Sequence, residues 1–271
     1  MIHTAQIGTP GGVPSVLAHC FLGHSGAWTR VVNAMSPALD ATVFDMPGHG
    51  HSPMPDEPGD FHAVVSGLIT ERVSVPSLLI GHSFGGASML RHALHHRDTV
   101  TGLVLIEPVF FAAARGTPEY RQNEVEEGAV YDAVRRGDTE LAAQRFLALN
   151  VGSPDWASLP PAVQTLMARQ IQLIAAMPAG IIHDSGGLLA PGLLEGFEVP
   201  VLLLLGGLTS PIFHATASAL AARLPQAEIG VVDDAGHMLP NSHPDQTAQR
   251  ISDWMARTGQ VNTRGLDAAT G

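Results

Sequence analysis

Two hydrophobic periods take turns along this chain. Short apolar runs occur at 13–20, 41–45, 77–81, 101–106 and 200–206, with a shorter one at 228–232. Unbroken runs of this length suit strands buried on both faces of a parallel sheet. Between them, helical spacing predicts helices over 27–39, 61–73, 87–97, 213–224 and 244–257. Strands alternating with helices predict an α/β fold: a mostly parallel central sheet flanked by helices.

The alternation stops at residue 109. From there to 198 the pattern predicts only helices, over 120–136, 139–149 and 161–177, with Asp138 and the 158–161 segment as helix starts. Residues 178–196 are rich in Gly and Pro and read as irregular. The expected organisation is therefore a core made of 1–108 and 199–258 and a helical insertion over 109–198. A small, polar tail, 259–271, is expected to be loose. A chain of 271 residues is long enough for one large core of this kind.

Composition narrows the chemistry. A formal charge of -11 argues against nucleic acid or an anionic membrane as partner. All 14 basic residues are arginine, so a lysine Schiff base, a PLP linkage and a phosphate-loop lysine are excluded. The single cysteine, Cys20, allows no intrachain disulfide and no multi-cysteine metal site. The first residues lack a basic segment followed by an apolar one, so no secretory signal is expected. The longest apolar run, 199–205, is too short to span a bilayer. A cytoplasmic protein acting on a small molecule is the expectation; the oligomeric state is open.

The most informative stretch is Gly81-His82-Ser83-Phe84-Gly85, set between a strand and a helix. Gly-x-Ser-x-Gly in that context is a nucleophile elbow, in which a strained turn presents the serine and small neighbours let strand and helix pass close by. A serine hydroxyl needs a base. His237, in the loop after the last strand, lies at the same sheet edge as the elbow. The other histidines have weaker claims: His92, His95 and His96 read as surface positions of one helix, and His3, His62, His183 and His214 lack supporting context. The base in turn needs an acid. Glu107 directly follows a buried strand, where a carboxylate is costly without a partner. Asp184 is a weaker rival, and Asp233 and Asp234 are too near His237 in sequence to orient its ring. A developing oxyanion would be held by the backbone N–H groups of Phe21 and Phe84, leaving their side chains to shape the acyl pocket. His19 is expected to pin the Phe21 loop. Phe110 and Phe111 are candidate pocket residues. The stripe Met167, Ile171, Ile174 and Met177 reads as core.

These residues resemble the α/β-hydrolase superfamily over nearly the whole chain. The matches are His19-Cys20-Phe21 with Gly23, then Asp45-Met46-Pro47-Gly48-His49-Gly50-His51-Ser52, then Gly81 to Gly86, and finally Gly236-His237. The resemblance implies a cap inserted after the sixth strand of the family's sheet, which fits 109–198. Two departures stand out. Cys20 replaces a glycine, and Thr209 stands where the family's usual acid would be. Some relatives, certain haloalkane dehalogenases among them, carry the acid where Glu107 is, but their nucleophile is aspartate.

Two further patterns are set aside. His49-x-His51 with Asp45 nearby would need another ligand from elsewhere to bind zinc, and the tight turn already explains the loop. Gly11-Gly12 and Gly206-Gly207 lack a phosphate-loop pattern. No metal and no cofactor are expected. The reading is a serine hydrolase that cleaves a small ester, thioester or lactone through an acyl-enzyme. A carbon–carbon bond hydrolase on the same residues and a non-catalytic binding protein of this fold are the alternatives.

Overall fold

The structure is a computed structural model that describes residues 1–260. Seven strands form one sheet: β1 (Thr4–Gly8), β2 (Val13–Ala18), β3 (Leu39–Phe44), β4 (Ser77–His82), β5 (Val100–Ile106), β6 (Val201–Gly206) and β7 (Ala227–Val232). Their order is β1-β3-β2-β4-β5-β6-β7. Only β1 runs antiparallel, pairing with β3. The helices are α1 (Thr29–Asn33), α2 (Phe61–Arg72), α3 (Phe84–His95), α4 (Pro118–Arg135), α5 (Thr139–Ala148), α6 (Pro161–Gln170), α7 (Pro178–Ile181), α8 (Pro211–Ala221), α9 (Leu239–Ser242) and α10 (Pro244–Thr258).

The unbroken apolar runs are explained by burial on both faces. Within β4, Leu79 joins one apolar cluster while Leu78 and Ile80 join the other; in β6, Leu203 and Leu205 oppose Leu202 and Leu204. One cluster holds α1 and α10 against the sheet through Val31, Trp254 and Met255. The other covers the opposite face with α2, α3 and α8. It continues without a break into Val130 of α4 and Ala142 of α5, so the helices between β5 and β6 share the main core rather than owning a separate one.

Several boundaries differ from the sequence expectation, each for a local reason. The edge strand β1 has alternating exposure and no apolar run, so it is silent in the pattern. With β1 counted, the strand ahead of the helical insertion, which ends immediately before Glu107, is the fifth of the seven in this sheet. The helix expected over 27–39 is only a 3-10 turn, Ser25–Trp28, followed by α1; Pro37 precedes Leu39, which already belongs to β3. The expected helix over 161–177 ends at Gln170 and tightens into the 3-10 segment Ile171–Ala176. Of the tail expected to be loose, Gly259 caps α10 with φ 71, and Gln260 is buried with its Nε2 donating to Thr101 O. The remainder, 261–271, lies outside the described residues.

Helix α3 begins at Phe84, immediately after Ser83, rather than at Ala87. That early start brings the helix backbone against two strands. A Cβ on Gly85 would sit 2.4 Å from Ala18 O and 2.5 Å from His19 O, and one on Gly81 would sit 2.6 Å from Gly85 O. The elbow glycines are thus required by backbone contacts that cannot yield. Gly85→Ala is expected to lower unfolding free energy by about 2 kcal/mol or more, as overpacking against rigid backbone does. Urea unfolding reads this directly, and a variant of wild-type stability contradicts the close approach.

Candidate active site

The end of β4 forces Ser83 into a backbone that side chains avoid, with φ 57 and ψ -117. Its N–H donates to Ile106 O at 2.8 Å, and its carbonyl accepts from Ala87 N at 3.0 Å. The turn is therefore held from both sides, and strain of this kind persists only where surroundings fix it. As the first residue of α3, Phe84 has an N–H with no intrahelical partner. Among the described residues neither that group nor the Phe21 N–H has a hydrogen-bond acceptor. The two loops meet at the Gly85 contact with β2 described above.

The next strand ends in a second strained residue. Glu107 has φ 44 and is fully buried. Its Oε1 accepts from Gly206 N at 2.7 Å, and its Oε2 accepts from Thr209 Oγ1 at 2.7 Å and from His237 Nδ1 at 2.6 Å. Thr209, set where the family's acid usually stands, thus donates to the carboxylate that pairs with the histidine. His237 is held in other ways too. Phe213 stacks on its ring at 4.7 Å, its N–H donates to Val151 O at 2.9 Å, and His82 Nε2 donates to its carbonyl at 2.8 Å.

Ser83 and His237 open onto one cavity of about 410 Å³. Its walls come from the Phe21 loop and from α5 and α6, through Phe146, Leu147, Val163, Leu166 and Met167, with Asn150, Gln170 and Asn241 supplying polar groups. No arginine, aspartate or glutamate lines it among the described residues.

Some expected placements do not hold. Phe110 and Phe111 do not line this cavity; both are buried, Phe110 6.5 Å from the His62 ring and Phe111 edge-on to Phe213. Both belong to the main apolar cluster, so their rings are part of the core. The Phe84 side chain is likewise buried, stacked on Phe61, while Phe21 does reach the cavity. The expected stripe splits: Ile171, Ile174 and Met177, beyond the end of α6, are core, and Met167 of α6 is cavity wall. Asp184 spends both oxygens on the N–H groups of Leu188 and Leu189.

Buried histidines brace the site. His19 donates from Nδ1 to Cys20 O at 2.7 Å and accepts at Nε2 from Met46 N at 3.0 Å. His49 donates from Nδ1 to Pro47 O and accepts at Nε2 from Leu22 N at 3.1 Å. Both rings pin the loop that carries Phe21. His62 and His92 are buried as well, the first donating to Ala87 O and the second placed between Thr70 and Thr99. His92 is therefore not the surface residue that its helix position suggested. Two bracing histidines, His82 and His92, have no sequence signal beyond their neighbours, because a polar residue on a buried face looks the same as one on an exposed face.

Seven strands in this order, with a serine elbow after β4, are the architecture of an elbow-type hydrolase. The family model described as "Alpha/beta hydrolase family" matches residues 16–250, and the chain belongs to that family. Accordingly, it is a hydrolase enzyme. It is 30% identical over 260 residues to a pimeloyl-[acyl-carrier protein] methyl ester esterase of Methylococcus capsulatus (strain ATCC 33009 / NCIMB 11132 / Bath), covering 92% of this chain and 98% of that protein. The esterase of the same name from Vibrio vulnificus (strain YJ016) is 27% identical over 259 residues, covering 89% and 93%. Among solved structures, a thermophilic esterase from Thermogutta terrifontis, malate bound, superposes with a TM-score of 0.70 at 23% identity, over 95% of this chain and 94% of that one. Among the described residues no helix is long and apolar enough to cross a membrane.

Burial sets the acid response of these braces. Desolvation lowers the pKa of His19 to about 3, and those of His49, His62 and His92 to about 4, while His82 is pushed well below its ordinary value. In the unfolded chain each regains an ordinary imidazole value near 6.5. Between about pH 6.5 and 4 the unfolded state therefore binds more protons, and stability rises with pH across that window. Unfolding free energy is expected to fall steeply from pH 7 to 5, with a slope of several protons. Urea titrations at three pH values measure it, and a flat profile contradicts the buried neutral state.

Proposed function

We propose that this hydrolase is a cofactor-independent serine esterase acting on a small carboxylic ester. The observation that carries the reading is the buried pair of Glu107 and His237, 2.6 Å apart, on the cavity that also holds the strained Ser83. In this reading Ser83 Oγ attacks the ester carbonyl carbon and its proton passes to His237 Nε2. Glu107 holds Nδ1–H and stabilises the imidazolium that forms. The N–H groups of Phe21 and Phe84 receive the oxyanion. The alcohol leaves with the proton from Nε2. Water, deprotonated by the same nitrogen, then releases the acid and restores Ser83.

The cavity speaks to the acyl group. A charge buried there would lose hydration, and among the described residues the walls offer no arginine, aspartate or glutamate to pair with it. We therefore assign a neutral, largely apolar acyl group to the cavity. The esterase names of the relatives support an ester over the carbon–carbon alternative, and the Glu107–His237 pair on the same cavity as Ser83 supports turnover over simple binding. A reducing, cytoplasmic setting goes with this reading, since the lone thiol, Cys20, has no disulfide partner in the chain.

A fluorophosphonate probe is expected to label Ser83, and Ser83→Ala to abolish both labelling and ester turnover. Glu107→Gln is expected to lower kcat by about a thousandfold or more with the fold retained by circular dichroism. An unlabelled, inactive wild-type protein overturns the reading, and an active Glu107→Gln variant overturns the acid.

Thr209 offers a finer test. Thr209→Val keeps the shape and removes the donor to Oε2. It is expected to lower kcat about tenfold, equivalent to about 1.4 kcal/mol in the barrier, while Thr209→Ser stays close to wild type. Steady-state kinetics of the two variants check this.

A further inference from the structure

His3 and His51 differ from the histidines that brace the site. His19 and His49 spend both ring nitrogens on the protein. By contrast, no hydrogen bond engages the His3 ring among the described residues, and the His51 side chain is 82% exposed. The two rings nonetheless converge, with centroids 4.9 Å apart. Beneath them lies the buried carboxylate of Asp45.

The backbone around this group is built, not incidental. The antiparallel register pairs Thr4 with Phe44, which brings His3 beside Asp45. Asp45 N donates to His3 O at 3.0 Å. His3 N donates to Ser52 Oγ at 3.0 Å, and that hydroxyl donates to Asp45 O at 2.7 Å. The Asp45 carboxylate is aimed by Ser25 N on Oδ1 at 2.7 Å and by His51 N on Oδ2 at 2.8 Å. His51 Nδ1 already stands 3.6 Å from Oδ2.

We propose that His3, Asp45 and His51 form a binding site for a borderline divalent cation such as Zn²⁺ or Ni²⁺. Their ligand atoms lie within 4.8 Å of one another. Bonds of about 2.1 Å in tetrahedral geometry put ligand atoms roughly 3.4 Å apart. The 3.6 Å pair meets that spacing, and rotation of the unbonded His3 ring closes the rest. Two imidazoles and one carboxylate favour zinc or nickel over magnesium or calcium, which take oxygen ligands. The fourth position faces solvent and takes water. The ligand that the His49-x-His51 pattern lacked comes from His3, and His49 is not part of the site. The ion would tie the start of β1 to the loop over 45–52, whose far side holds the Phe21 loop through Ser25 and Leu22. The role is structural, since none of the three residues lines the cavity of Ser83. Residues so far apart in sequence assemble only in the folded chain, so binding adds to fold stability.

The test uses the full-length protein stripped with EDTA. Calorimetric titration with Zn²⁺ should show one ion per chain, and Tm should rise with free Zn²⁺. His3→Ala and His51→Ala should each weaken binding at least tenfold and remove the Tm rise. His214→Ala, an exposed histidine elsewhere, should leave both unchanged. Neither His3 nor His51 braces the fold, so both variants without metal should unfold at the wild-type urea midpoint. Absence of saturable Zn²⁺ binding, or unaltered affinity in both variants, overturns the proposal.

Discussion

A fully buried carboxylate needs hydrogen-bond donors on both of its oxygens, and the architecture around Glu107 follows from that need. An isolated buried carboxylate costs several kcal/mol, and removing one partner of a buried pair is strongly destabilising. Glu107 meets the need with three donors from three places: the Gly206 backbone at the end of β6, the Thr209 hydroxyl in the following loop, and the His237 ring in the loop after β7. The same bonds draw the ends of β5, β6 and β7 together. Site assembly and the satisfaction of a buried charge are one event here.

Around that centre buried histidines join backbone segments to one another. A neutral imidazole has one donor and one acceptor, so a single buried ring can join two backbone segments. His19 ties the Phe21 loop to Met46, His49 ties Leu22 to Pro47, and His82 ties the elbow to the backbone of His237. The segment between β5 and β6 contributes too, since the carbonyl of Val151 receives the His237 N–H and a Cβ on Gly236 would stand 2.2 Å from that carbonyl. The same segment therefore walls the cavity and holds the histidine.

Much of this was legible in the chain. Strand runs, the elbow, the Gly-His near the last strand and the helical insertion all lie in short local patterns, and the family comparison agrees with the fold class that they imply. Elsewhere the patterns were mute. β1 is an edge strand with one exposed face, so its residues carry no apolar run. Phe110 and Phe111 were plausible pocket residues by proximity to Glu107, but proximity in sequence says nothing of which side a ring faces after a turn. His92 looked like surface because a helix with many small residues hides which face is buried.

By itself, the sequence determined the order of elements and the identity of the groups that need one another: a serine on a strained turn, a late histidine, and a carboxylate left at the end of an apolar strand. These follow from local rules of periodicity, turn sterics and the cost of burying charge. Only the tertiary structure decided the partners. That Thr209 donates to Glu107, that Phe21 faces the cavity while Phe84 is core, and that His3 reaches Asp45 all depend on strand order and register. Those contacts span from 23 residues of chain, for Phe84 on Phe61, to 102, for Thr209 on Glu107, and no local pattern encodes a distance that sheet assembly alone creates.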